Sequence, residues 1–265
     1  MERDGLGRRE LELSAVTTHT VTPGWAEVID AMRMSCARRA EAGALVLDPD
    51  AFGVLRGAGA VLWVQADDGA ARLPGLLARA PEVDETYVAT GCAAARTALA
   101  LAGWVEAARY THLVAPAGDD GTGMPGTLVE VGPDDMPVFR AALVGAGLPA
   151  DAVAGCYPDD FHVRAAPAAL LALRDPSGSL LATVGLRWQG DCAMVFGLTV
   201  RSAERGRGLG RALLTAARRR AADGGAAFVH LQAVDDAVDT PLGAGFQPVG
   251  EWVRLVRPPA EPAAA

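Results

Sequence analysis

A glycine- and arginine-rich segment, Arg205-Gly206-Arg207-Gly208-Leu209-Gly210, constrains the fold of this sequence more than any other feature. An apolar stretch of strand character precedes it (residues 193–200), and a helix-like run follows it (residues 211–220). A strand that leads through such a loop into a helix directs free backbone N–H groups and the positive end of the helix dipole towards one point. Glycines let a ligand approach the backbone, and arginines add positive charge. The segment therefore predicts a site for a diphosphate-bearing ligand.

The spacing of the glycines narrows the choice of ligand. A dinucleotide-binding G-x-G-x-x-G fingerprint counted from Gly206 would require glycine where Arg211 stands, and a Walker loop requires lysine, which this sequence lacks. The segment fits Arg-x-x-Gly-x-Gly instead. It resembles the acetyl-coenzyme A loop of the GCN5-related N-acetyltransferases (GNAT family). The helix, the strand near residues 226–233 and the closing residues 245–252 follow in that family's order, so the resemblance spans residues 127–258. A surface turn without a ligand is the alternative.

The resemblance implies a fold, a cofactor and a binding site. The implied fold class is α/β of the α+β type, with a twisted, mostly antiparallel mixed sheet flanked by helices. The implied co-substrate is acetyl-coenzyme A, with its pantetheine arm on the strand backbone and its diphosphate on the loop amides. Arg205 and Arg207 would contribute charge or order the loop, and Gly197 would form a β-bulge or else allow close packing without a bulge. The implied cofactor-binding residues are Leu198, Thr199, Val200, Arg205, Gly206, Arg207, Gly208, Leu209, Gly210 and Arg211.

The catalytic residues of the family are not matched. Met194 and Phe196 stand where a base is common, Val234 stands at an asparagine position, and Pro241 replaces the tyrosine that serves as leaving-group acid. His230 is the candidate catalytic residue because it lies mid-strand on one face with Phe228 and Gln232, from which it could reach the thioester; a hydrogen-bonded structural histidine is the alternative. Asp191, Tyr157 and His162 are weaker candidates, better explained as turn or solvated loop residues.

Two functions are therefore compatible with the sequence. One is transfer of an acetyl group to a primary amine of a small molecule or peptide, by direct attack in a ternary complex. The other is a non-catalytic module that binds or senses acetyl-coenzyme A. A nucleotide-binding oxidoreductase is disfavoured by the glycine spacing.

The sequence also indicates two halves. The Gly/Pro-rich residues 115–126 predict a boundary, giving domains at 1–118 and 127–258 and a disordered tail at 259–265. Residues 102–114 resemble 244–256, each with a Gly–aromatic pair before a strand. Residues 60–66 could correspond to 193–200, but Asp67 and Asp68 follow them and would repel a diphosphate. The first half therefore reads as a degenerate copy of the same fold without a cofactor loop, unless the similarity arose by chance.

Local patterns predict the elements of the second half. Strands are expected at residues 127–131, 169–174, 180–188 and 193–200, with a turn at 175–178. Helical structure is expected from 134 to 148, and a second helix at 208–222 should turn Leu209, Leu213, Ala216 and Ala217 to the core. Arginines in its last turn suit the negative end of the dipole and otherwise read as a solvated face.

Composition excludes several classes of protein. The net charge is −8, and the four cysteines and four histidines are scattered. We therefore expect no nucleic-acid partner, no metal site, no disulfide framework and buried reduced thiols. No apolar run reaches membrane-spanning length and the N-terminus lacks a signal-peptide core, so a cytoplasmic protein is expected.

Overall fold

The computed structural model describes residues 46–48, 51–56, 59–64, 73, 77, 83–118, 126–159, 161–164 and 167–258. Their strands form one sheet of eleven, in the order β1-β2-β3-β4-β11-β5-β10-β9-β8-β7-β6. The strands are β1 Val46–Asp48, β2 Ala51–Arg56, β3 Gly59–Val64, β4 Val83–Ala89, β5 Val105–Pro116, β6 Thr127–Glu130, β7 Ala168–Arg174, β8 Leu180–Gln189, β9 Cys192–Val200, β10 Phe228–Val234 and β11 Gln247–Val256. The helices are α1 Ala93–Leu101, α2 Met136–Gly145, α3 Ala150–Cys156, α4 Phe161–Arg164, α5 Leu209–Asp223 and α6 Asp239–Gly243.

The elements predicted for residues 127–258 are confirmed, with ends that differ by up to three residues. The turn at 175–178 is closed by a 2.9 Å hydrogen bond from Gly178 N to Asp175 O. The core side of α5 is also as predicted, since Leu209, Leu213, Ala216 and Ala217 are buried. Asp191 lies in the turn between β8 and β9, as expected. The predicted tail lies outside the described residues.

The centre of the sheet is built from both halves of the chain. β5 pairs with β10 and β11, and β11 pairs with β4 and β5. The last strand of residues 1–118 thus lies between two strands of residues 127–258. A boundary near residue 120 divides the sequence but does not divide the sheet.

β5 and β11 are related by an approximate twofold axis. Tyr110 lies opposite Trp252 at its centre. The axis relates the pair Val105–Val256 at one end of the ladder to the pair Gln247–Val114 at the other end. Each strand carries one bulge, at positions that the axis exchanges. These are the two segments whose sequences resemble each other.

The helices before these strands end alike. Gly103 has φ +84° and Gly245 has φ +83°, conformations that favour glycine. The aromatic residue after each glycine donates its backbone N–H five residues back, Trp104 to Leu99 O and Phe246 to Pro241 O, both at 3.0 Å. Both aromatic side chains are buried.

Two strand pairs are parallel, β3–β4 and β9–β10, whereas the other described pairs are antiparallel. Helix α5 packs on one face of the second half, over Leu171, Val184 and Val229. Phe139 of α2, Val153 of α3 and Phe161 of α4 pack on the other face.

The arginines near the end of α5 are not simply a solvated face. Arg218 is 5% exposed and donates from Nε to Pro116 O at 3.0 Å and from Nη1 to Ala244 O at 3.1 Å. Arg220 pairs with Glu130 on β6. Arg218 is buried because it satisfies carbonyls at the end of β5 and just after α6.

Candidate functional site

The parallel pair β9–β10 opens into a notch. The two strands pair only from Cys192–Phe228 to Met194–His230, although β9 continues to Val200. Beyond Met194 the edge of β9 that faces β10 is without its partner strand, so backbone groups there are available to a ligand. We call this gap the splay.

Gly197 forms a bulge on β9 at the splay. The β8–β9 ladder passes from Gly185–Phe196 to Thr183–Thr199, so β9 has one residue more than β8 between these pairs. Gly197 has φ +62°, and a Cβ added to it would lie 2.0 Å from Tyr157 Oη. The bulge predicted at Gly197 is confirmed and the alternative, close packing without a bulge, is wrong, although the missing Cβ also leaves room for Tyr157.

Three glycines shape the loop after β9, for two different reasons. Gly206 and Gly208 have φ +77° and +78°, and an added Cβ would meet nothing within 4 Å at either one. They are required by backbone conformation, and they face open space. Gly210 is required by packing, because its Cβ would lie 3.0 Å from Thr240 Cγ2 on α6.

A cavity of about 690 Å³ lies between this loop, β9 and α6. Nine of the ten predicted cofactor-binding residues line it, Arg207 being the exception. Its lining residues are Leu148, Leu198, Thr199, Val200, Glu204, Arg205, Gly206, Gly208, Leu209, Gly210, Arg211, Ala237, Asp239 and Thr240.

The start of α5 supplies donors to this cavity. Gly208 precedes the helix, and its carbonyl accepts the first intrahelical bond, from Ala212 N at 3.0 Å. The N–H groups of Leu209, Gly210 and Arg211 precede that bond, so they have no acceptor within the helix. Together with the helix dipole and Arg205, they form an environment suited to phosphate oxygens.

Two carboxylate residues, Glu204 and Asp239, line the cavity, and Glu204 is paired with neighbouring arginines. Arg201 Nη2 lies 3.1 Å from Glu204 Oε1, and Arg207 pairs with the other carboxylate oxygen. The hydrogen bond from Arg201, with the charge of Arg207, lowers the pKa of Glu204. The contact of Arg207 lies within the loop, which fits the loop-ordering role that the sequence suggested for it.

His230 is not placed for proton transfer to a substrate. It is 1% exposed, and both ring nitrogens are hydrogen-bonded, Nδ1 to His112 Nε2 at 3.0 Å and Nε2 to Gln189 Oε1 at 2.9 Å. Trp252 Nε1 lies 3.2 Å from His112 Nδ1.

These contacts form a hydrogen-bond chain with one direction. Because an indole N–H can only donate, His112 Nδ1 must accept, which places the proton of His112 on Nε2. That proton is donated to His230 Nδ1, and His230 Nε2–H is donated to Gln189. Burial lowers the pKa of both histidines, that of His230 to about 4. We therefore assign His230 to this chain, which we call the histidine chain, and not to catalysis.

Other candidates are also clarified by the structure. Tyr157 is 4% exposed and is not a solvated loop residue. His162 lies on α4 and is partly buried.

Cys92 and Cys192 are buried thiols as expected, and burial raises the pKa of Cys192 to about 12. Cys156 is exposed, contrary to expectation. In the described residues no group of three or more His, Cys, Asp or Glu side chains could hold a metal ion. None of the described helices is long and apolar enough to cross a membrane.

Comparisons with known proteins agree with this geometry. Residues 148–241 match the family model described as "Acetyltransferase (GNAT) family". No curated protein matches the sequence significantly.

Solved structures share the fold over most of the chain. A GCN5-related N-acetyltransferase from Kribbella flavida has a TM-score of 0.63 at 20% identity, over 88% of this chain and 96% of that one. Another, from Sphaerobacter thermophilus, has a TM-score of 0.59 at 15% identity, over 82% and 80%. A tandem GNAT protein from the clavulanic acid biosynthesis pathway has a TM-score of 0.52 at 16% identity, over 91% and 99%. The fold is thus GNAT-like, and the family match supports an acyltransferase.

Proposed function

We propose that this protein is an acetyl-coenzyme A-dependent N-acetyltransferase that acts on a primary amine of a small molecule or peptide. The observation that carries the proposal is the cavity of about 690 Å³ in which the splayed strand β9, the glycine loop and the start of α5 meet. The diphosphate would bind to the amides of residues 206–211 and to Arg205, and the pantetheine arm would run along Leu198, Thr199 and Val200. The acetyl thioester would then lie at the splay, where the acceptor amine attacks it directly.

We further propose that residues 1–118 hold a degenerate copy of the same fold. The twofold relation of β5 and β11, the matching ends of α1 and α6 and the two parallel strand pairs support this. The loop after β3 lies outside the described residues, and its sequence begins with two aspartates and lacks the Arg-x-x-Gly-x-Gly spacing.

A module that binds acetyl-coenzyme A without turnover is the second candidate. Pro241 is buried at the position where the family has a catalytic tyrosine, and the histidine chain removes His230 from consideration as a base. Positioning of the two substrates can still accelerate the reaction without a dedicated base.

Calorimetric titration of acetyl-coenzyme A into the protein, with NADH and ATP as controls, tests the proposal. We expect selective binding in the micromolar range, about −8 kcal/mol. A panel of amines, followed by release of free thiol, then separates the enzyme from the binding module. Failure to bind acetyl-coenzyme A would refute both candidates.

A further inference from the structure

Tyr157 is held rigidly above the splay. It follows α3, donates its backbone N–H to Val153 O at 2.9 Å and accepts at its own carbonyl from Arg140 Nη1 at 3.1 Å. Its ring packs edge-on against Phe139, with centroids 5.2 Å apart, and also against Phe161 and Phe196. A tyrosine fixed by both backbone and ring contacts holds its hydroxyl at a defined point.

That point is the bulge of β9. The position of an ideal Cβ on Gly197 lies 2.0 Å from Tyr157 Oη, so the hydroxyl is in direct contact with the backbone of Gly197. Gly197 lies beyond Met194, the last residue of β9 that pairs with β10. The phenol therefore reaches the part of β9 along which the strands have separated. Glycine at this position can adopt the positive φ, and its missing Cβ leaves room for the hydroxyl.

The hydroxyl is available to a ligand. Tyr157 Oη makes no hydrogen bond to any described residue. Burial raises the pKa of Tyr157 far above that of a free phenol, so the group remains a neutral O–H donor at physiological pH. A phenol O–H that has no acceptor among the described residues can donate its hydrogen bond to a ligand that reaches the splay.

We propose that Tyr157 is a catalytic residue that donates a hydrogen bond to the carbonyl oxygen of the thioester and stabilises the negative charge that develops there. The inference rests on the proposed acetyltransferase function. The phenol comes from the end of α3, which precedes the glycine loop in the chain. Pro241, at the position where the related family has its tyrosine, follows that loop.

The proposed step balances without a further reactant. The lone pair of the neutral amine forms the C–N bond, and the carbonyl π electrons move to oxygen, where the Tyr157 O–H stabilises them. The C=O bond then reforms as the C–S bond breaks, and its electron pair leaves on sulfur. The nitrogen loses its extra proton to water, the thiolate takes one from water, and Tyr157 retains its own proton throughout.

Tyr157→Phe tests this role because it removes only the hydroxyl and retains the packed ring. We expect kcat for amine-dependent thiol release to fall about 100-fold, as for loss of one oxyanion donor, with KM for acetyl-coenzyme A changed less than twofold. The preference for acetyl-coenzyme A over coenzyme A, measured as a ratio of calorimetric Kd values, should also fall, because only the acetylated form carries the carbonyl. A purely structural role would change neither the preference nor kcat selectively.

Tyr87→Phe is the matched control, since it removes a buried hydroxyl from the other end of the sheet, beside Tyr110. It should leave kcat and the binding preference unchanged. If the wild type acetylates amines and Tyr157→Phe does so equally well, the role of Tyr157 is refuted and the proposed function stands. If the wild type binds acetyl-coenzyme A without turnover, an unchanged preference in Tyr157→Phe also refutes the role. If the wild type does not bind acetyl-coenzyme A, the proposed function itself fails.

Discussion

The parallel pairs β3–β4 and β9–β10 occupy comparable places in the sheet but lead into chemically opposite loops. β9 is followed by a segment with arginines and three glycines, whereas the sequence after β3 begins with Gln65-Ala66-Asp67-Asp68. Each pair also lies beside the strand that the other half contributes, β4 beside β11 and β10 beside β5. The comparison indicates that strand order and ligand binding are specified separately. Apolar strand patterns determine the pairing, and a short loop determines whether an anion can bind.

The largest expected effect comes from adding a negative charge to the glycine loop after β9. Gly208→Asp should reduce the affinity for acetyl-coenzyme A at least 1000-fold, about 4 kcal/mol, because it places a carboxylate where the diphosphate would bind. Calorimetric titration measures the loss. Gly103→Asp is the control from the first half, since Gly103 has a similar φ of +84° and equally open surroundings. Equal affinity of Gly208→Asp and wild type, with the fold intact, would contradict the cofactor assignment.

The next prediction tests whether the two halves unfold together in one cooperative transition. Phe246→Ala and Trp104→Ala truncate buried aromatic side chains at equivalent positions before β11 and β5. Each should lower the free energy of unfolding by about 3–5 kcal/mol. Because each half contributes a strand to the centre of the other, both variants should still unfold in one transition, monitored by tryptophan fluorescence and by circular dichroism during urea titration. Two separated transitions in either variant would show that the halves unfold independently.

Much of the site was predictable from sequence because its signals are local. The positive φ of Gly206 and Gly208 and the start of α5 depend on residues adjacent in the chain, and the spacing of glycine and arginine reports them directly. The similar ends of α1 and α6 were predictable for the same reason, since a glycine that ends a helix before an aromatic residue forms a local motif.

The remaining features depend on contacts between residues far apart in sequence. His112 and His230 are 118 residues apart, and nothing in either segment indicates that they share a hydrogen bond. The placement of β5 between β11 and β10, and of β11 between β4 and β5, likewise depends on pairing between strands far apart in sequence. The sequence places Tyr157 in a loop because the short helix before it gives a weak pattern. Its ring neighbours Phe139 and Phe196 come from separate elements. The one signal that could have indicated the contact was Gly197, an isolated glycine in a strand.

The smallest expected effect is the acid sensitivity of the histidine chain, which joins β5 of the first half to β8, β10 and β11 of the second. Both histidines have pKa values below 6.5 in the folded protein, so between pH 6.5 and about 4 the unfolded chain binds more protons than the folded one. The chain's contribution is therefore fully present above pH 6.5 and is lost as the pH falls towards 4. We expect the free energy of unfolding, measured by urea titration at several pH values, to fall progressively over this pH range. His162→Gln, which changes a histidine outside the chain, should retain the fall. His230→Phe should be less stable at pH 7.5 but show a smaller further loss on acidification. Since the histidine chain crosses from one half to the other, acid should destabilise both halves together, and a loss confined to either half would contradict its proposed role in joining them.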